Sequence, residues 1–88
     1  MRVIVVDDEK LILQTEAAMI RKLLPESEVR AFSFMEDAME YAVRNPVDIA
    51  FLDINLEAHS GIELAKKLQK LHPELNVIFC TGYSEYSL

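Results

Sequence analysis

Three separate apolar runs each end in a residue able to handle phosphate. Val3-Ile4-Val5-Val6 runs into Asp7-Asp8, Ala50-Phe51-Leu52 into Asp53, and Val77-Ile78-Phe79-Cys80 into Thr81. Short continuous runs of this kind read as parallel strands buried on both faces, and an open α/β sheet binds its ligands just beyond the carboxyl ends of its strands. The three run ends therefore converge on one crevice. Carboxylates gathered there repel one another unless something positive sits between them, so the pattern points to a cation before it points to any reaction. A hydroxyl beside that cation suits an oxygen-rich ligand such as a phosphoryl group.

The segments between the runs read as helices. Lys10 to Leu24 holds no Gly or Pro until Pro25, and Leu13, Ala17, Ile20 and Leu24 recur on one face. Glu28 to Phe32 reads as a second strand, after which Ser33 and Glu36 match a capping box for a helix running to about Arg44. Asn45-Pro46 breaks that helix, and Ile49 to Leu52 forms the third strand. Asn55 to Gly61 is polar and Gly-marked, hence a loop at the sheet's carboxyl end. Ile62, Leu64, Ala65, Leu68 and Leu71 then give a helical stripe ended by His72-Pro73, and Asn76 to Cys80 is the fourth strand. Strands alternating with helices are the pattern of right-handed crossovers on a parallel sheet.

With 88 residues the chain is one domain at most, and its core is thin. Fifteen acidic against nine basic residues give a net charge of -6, which disfavours direct contact with nucleic acid or an anionic membrane. No apolar run approaches the roughly 20 residues of a membrane helix, and the start lacks a signal-peptide core, so the cytoplasm is the expected compartment. Cys80 is the single cysteine, which excludes an internal disulfide and a thiolate metal cluster; it reads as a small buried strand residue. His59 and His72 lack metal-ligand spacing and read as structural or exposed. Glu9 reads as a first-turn helix acid, and Met19, Met35 and Met39 as core or half-core fillers.

The acidic pair after the first strand, the lone Asp after the third and Thr-Gly after the fourth resemble the receiver domain of two-component response regulators. Val-Val-Asp-Asp-Glu, Phe-Leu-Asp-Ile-Asn-Leu, Ser-Gly-Ile-Glu-Leu-Ala and Phe-Cys-Thr-Gly occur in the family's order across the whole chain. The ending Thr-Gly-Tyr-Ser-Glu-Tyr-Ser most resembles regulators whose output is a LytTR-type DNA-binding domain. The resemblance implies a three-layer, flavodoxin-like α/β fold with a parallel sheet of order 2-1-3-4. Residues 1–88 would be the N-terminal portion of that domain, without the family's fifth strand and last helix.

By the same resemblance, Asp53 would be the phosphoacceptor, taking a phosphoryl group from the phosphohistidine of a sensor histidine kinase. Mg²⁺ would be held by Asp7, Asp8, Asp53 and the backbone carbonyl of Asn55, and Thr81 would hydrogen-bond the phosphoryl group and act as the switch. Such a domain signals and assists its own phosphoryl transfer; it is not an enzyme acting on a separate substrate. The implied partners are the kinase and an output domain of the DNA-binding type on a longer parent.

Departures from the family pattern carry their own expectations. Glu57 stands where the family commonly has Pro, and His59 where it has an apolar residue. The family's Lys after the switch residue has no counterpart, since Lys10, Lys22, Lys66, Lys67 and Lys70 all precede Thr81; phosphorylation of these 88 residues is therefore expected to be poor. Asn76 to Cys80 would form an exposed edge, through which, or by exchange of terminal segments, the chain is expected to self-associate. Tyr83 and Tyr86 fall where the family borders its output surface. The alternative reading is a receiver-like interaction module that works without phosphorylation. A haloacid dehalogenase-type phosphohydrolase would need a second Asp at the position of Asn55, and a nucleotide site would need a Gly-rich turn after Val6.

Overall fold

β1 (Arg2–Val6) is an interior strand of the sheet, and its residues Val3, Ile4, Val5 and Val6 are almost wholly excluded from solvent. This follows from a sheet covered on both faces, where alternate side chains enter opposite cores. The computed structural model describes residues 1–56 and 59–80. Along these run α1 (Lys10–Leu23), β2 (Glu28–Phe32), α2 (Met35–Arg44), β3 (Ile49–Asp53), β4 (Asn55–Leu56), β5 (His59–Ser60), α3 (Gly61–Leu71) and β6 (Asn76–Cys80).

The main sheet is parallel, in the order β2-β1-β3-β6. Counting its strands along the chain, this is the expected 2-1-3-4 order. Val3 and Val5 face α1, packing with Leu13, Ala17, Ile20 and Val29. Ile4 and Val6 enter the opposite core with Met35, Ala38, Leu52, Leu64 and Leu68, beneath α2 and α3. Burying each large aliphatic side chain contributes about 1.5–3 kcal/mol, so two small cores suffice to order three layers. At the amino ends of the strands Asp48 locks the register. Its Oδ2 accepts from the Arg2 N–H at 2.7 Å, its N–H donates to the Arg2 carbonyl at 2.8 Å, and its carbonyl accepts from the Asn76 N–H at 3.0 Å.

Several local expectations are corrected. The segment Asn55 to Gly61 is not plain loop: β4 and β5 form a short antiparallel pair, Asn55 opposite Ser60 and Leu56 opposite His59, and Gly61 opens α3. The capping box at Ser33 does not set the start of α2, whose N-cap is Phe34 with no side-chain capping bond. Glu9 occupies the N-cap of α1 and not its first turn. Ile62 and Leu71 are exposed, as is Met19, whereas Met35 is buried and Met39 half-buried. Cys80 is half-buried. His72 is structural as expected, capping α3 while its Nε2 lies 2.7 Å from the Ala42 carbonyl oxygen.

Candidate metal centre

Strand parity places the acids. Val3 and Val5 point to the α1 face, so Asp7, two residues on, lies on that face at the end of β1. In β3, Ile49 and Phe51 pack on the same side, so Asp53 does as well. Because β1 and β3 are hydrogen-bonded neighbours, the carboxylates meet: one ligand oxygen each from Asp7, Asp8 and Asp53 all lie within 4.8 Å of one another. Asp7 is 2% exposed and Asp53 5%, while Asp8 is half-buried at the rim.

Backbone donors orient the buried pair. The Glu9 N–H donates to Asp7 Oδ1 at 2.9 Å, and the Asn55 N–H donates to Asp53 Oδ1 at 3.2 Å. Each is a turn in which an Asp binds the amide two residues on, favoured where a strand must end sharply. The Asn55 backbone is thereby tied beside Asp53.

The electrostatics are unfavourable without a counter-charge. Burial pushes the Asp7 carboxyl above its ordinary range; the Glu9 N–H opposes this, and the charges of Asp53, Asp8 and Glu9 add to it. Burial likewise raises Asp53, opposed by the Asn55 and Ile54 amides and reinforced by Asp8 and Glu9. Among the described residues no salt bridge reaches any of the three carboxylates. Three converging oxygen donors, two of them dry and held by amides, fit a hard divalent cation that keeps part of its water shell.

A further acid was not anticipated. Glu16 of α1 is half-buried, and its carboxyl is raised by burial first and then by the charges of Asp7 and Asp53. Its place in the sequence, three residues after Leu13 and four before Ile20, was the available signal. Cys80 pairs in register with Asp53; burial pushes its thiol up, with Glu16, Asp7 and Asp53 adding to the shift. Lys10 is exposed. Thr81, Glu57, Tyr83 and Tyr86 lie outside the described residues.

Comparison with known proteins agrees with this architecture. The sensory transduction protein LytT of Bacillus subtilis (strain 168) is 31% identical over 88 residues, covering 100% of this chain and 36% of the relative. The transcriptional regulatory protein LytR of Staphylococcus aureus (strain N315) is 30% identical over the same 88 residues, again 36% of its length. The chain thus spans little more than a third of these curated relatives. The crystal structure of response regulator protein TrrA from Thermotoga maritima, in complex with Mg(2+)-BeF, superposes with a TM-score of 0.81 at 28% identity, over 97% of this chain and 72% of that one. No helix among the described residues is long and apolar enough to cross a membrane. The family model for the response regulator receiver domain matches residues 3–88, and the chain belongs to that family.

Proposed function

We propose that this chain is a phosphoacceptor signalling module of the cytoplasm, in which Asp53 receives a phosphoryl group from the phosphohistidine of a sensor histidine kinase in a Mg²⁺-dependent reaction. One observation carries the reading: a buried carboxylate at the end of β3 shares a 4.8 Å cluster with two acids from the end of β1. The solved complex of TrrA with Mg(2+)-BeF supports it from the side of the relatives.

In this reading an Asp53 carboxylate oxygen forms the new O–P bond as the P–N bond to the kinase imidazole breaks, and the ring nitrogen keeps the electron pair. The Asn55 amide holds Asp53 in place for this attack. Asp7, Asp8, Asp53 and the Asn55 carbonyl hold Mg²⁺, which when bound supplies the positive charge that a phosphoryl group needs to approach three carboxylates. Thr81 takes the phosphoryl hydrogen bond and the switch role. The domain assists its own phosphorylation and passes the result to an output domain of the DNA-binding type on a longer parent.

Residues 1–88 act here as the N-terminal portion of a receiver. The chain itself associates through the edge of β6, where Ile78 and Phe79 are exposed.

Beryllofluoride, which mimics a phosphoryl group on a carboxylate, tests the assignment. With Mg²⁺ it is expected to shift the amide resonances of Asp8, Asp53 and Asn55. No binding in any length of the parent would favour an interaction module that works without phosphorylation.

A further inference from the structure

Edge strand β2 turns charge, and not an apolar row, to the side that α2 partly covers. Glu28, Arg30 and Phe32 alternate onto that side, and Arg2 joins them from the register position beside Glu28 on β1. A parallel sheet normally buries both faces, so a polar floor beside a helix marks a surface kept open. The wall is α2 itself: Asp37, Tyr41 and Arg44 recur at the i, i+4 and i+7 positions and line the same cavity of about 620 Å³.

Three of the chain's four arginines line this groove and none of its five lysines does, in a chain whose net charge is -6. Among the described residues the ion pairs of these arginines are long. Arg2 Nε lies 3.6 Å and Arg30 Nε 3.8 Å from the same Glu28 oxygen, and an Arg44 nitrogen lies 3.7 Å from Glu40. All three exceed hydrogen-bonding distance, and Arg2 Nε is buried with no acceptor. Glu28 is meanwhile engaged by the Tyr41 hydroxyl, which donates to it at 2.7 Å. One carboxylate thus stands before two guanidiniums, each a fork able to take a carboxylate of its own in bidentate fashion. Asp37 lies about 10 Å along α2 from Arg44, so the arginine end, with Glu28 and Glu40 against three cations, stays positive.

Arginine and aromatic rings without lysine are the composition of protein contact surfaces. Here the Phe32 and Tyr41 rings lie 5.5 Å apart, and the Arg30 guanidinium lies 5.6 Å from the centre of the Tyr41 ring. From this arrangement we infer that the groove between β2 and α2 is a docking surface for an acidic segment of a partner protein, whose carboxylates take the Arg2, Arg30 and Arg44 forks. Side chains on the face of β2 make the contact, and not its edge. That face is opposite the one bearing Asp7 and Asp53, so the inference does not rest on the cation reading.

The test uses the full 88-residue chain and a short fluorescein-labelled peptide with Glu at alternate positions, its control carrying Gln in place of Glu. Anisotropy measures affinity, and amide shifts of the parent chain locate the site without relying on any variant. The Glu peptide should bind, weaken as salt rises, and shift the amides of Arg30, Tyr41 and Arg44, while the Gln peptide should do none of these. Arg30→Gln with Arg44→Gln, both at exposed side chains outside the core, should weaken binding roughly tenfold, the combined size of two partly exposed ion pairs. Lys66→Gln with Lys70→Gln makes the same charge change on α3 and should leave affinity unchanged. No binding of the Glu peptide, shifts confined to other elements, or an equal loss in the lysine double variant overturns the inference. Pyrophosphate moving the same amides more strongly than the peptide marks a small-anion site and overturns the protein partner.

Discussion

Gly61 sits against the main chain of Asp53: a methyl group on Gly61 would lie 1.9 Å from the Asp53 carbonyl oxygen and 2.8 Å from its carbonyl carbon. The Gly61 N–H donates to the Ile54 carbonyl at 2.7 Å, so the first residue of α3 is docked directly behind the carboxylate-bearing end of β3. Gly61 has no positive φ, so close approach alone demands glycine here. Both neighbours are backbone, and no side-chain rotation can relieve the clash.

Gly61→Ala is therefore expected to destabilise the chain by about 3 kcal/mol, the upper end of overpacking costs. In a domain of this size that lowers the melting temperature by at least about 10 °C. It should also weaken Mg²⁺ binding, since relief requires the end of β3 to move. Unfolding midpoints and metal titrations of the variant check this; an unchanged midpoint would show that α3 can shift freely.

Asp53→Asn removes one of three mutually repelling carboxylates while keeping an acceptor for the Asn55 amide. In chelator the variant should be more stable than the parent, by an amount on the order of 1 kcal/mol. Adding Mg²⁺ to 100 times its dissociation constant should stabilise the parent by about 2.7 kcal/mol and the variant by far less. Urea unfolding with and without Mg²⁺ measures both. A less stable metal-free variant would mean that Asp53 is held mainly by favourable contacts.

The raised carboxyls of Asp7, Asp53 and Glu16 set the sign of the pH dependence. A group that binds its proton more tightly when folded contributes stability below its unfolded value, about 3.9 for Asp and 4.3 for Glu, and loses it as pH rises through the folded value. Glu28 shifts the opposite way, through Tyr41 first and then Arg2 and Arg30, but it lies at the surface, where solvent screens it, and contributes little. In chelator, urea midpoints should thus be higher near about pH 5 than near about pH 7.5, and Asp7→Asn should shrink the difference. A higher midpoint at the more alkaline pH would contradict this.

The two edges of the sheet differ. β2 carries Glu28 and Arg30, which pair with each other, and Glu28 also pairs with Arg2. β6 has no charged residue, and its Ile78 and Phe79 are 43% and 42% exposed. Charge guards an edge against pairing with another chain, so association should proceed through β6. Sedimentation velocity at micromolar concentration should give a mass that rises with concentration, and Ile78→Lys should suppress the rise. A constant 10.1 kDa species would exclude it.

The strands were the most legible part of the sequence, because residues buried on both faces leave continuous apolar runs such as Val3 to Val6. Their order came with the resemblance to receiver domains, while the meeting of Asp7, Asp8 and Asp53 followed from where those runs stop. Helix faces were read less well at their margins. Ile62 lies two positions from Leu64, about 200° round the helix and off the buried stripe. Met19 neighbours Ile20 in sequence but points about 100° away. The start of α2 lies one residue past the expected Ser33 cap, at Phe34, a shift within the range by which helix ends vary. Glu16 escaped notice because a stripe traced by its apolar members passes over a charged residue on the same face. The β4–β5 pair has too few residues to show a period.

Phosphoryl transfer to Asp53 is the central claim. Incubation with acetyl phosphate, followed by intact-mass measurement and peptide mapping, tests it most directly. A gain of one phosphoryl group on Asp53 is expected, dependent on Mg²⁺ and absent from Asp53→Asn. Incorporation at another residue, incorporation independent of a divalent cation, or none under any condition would contradict it.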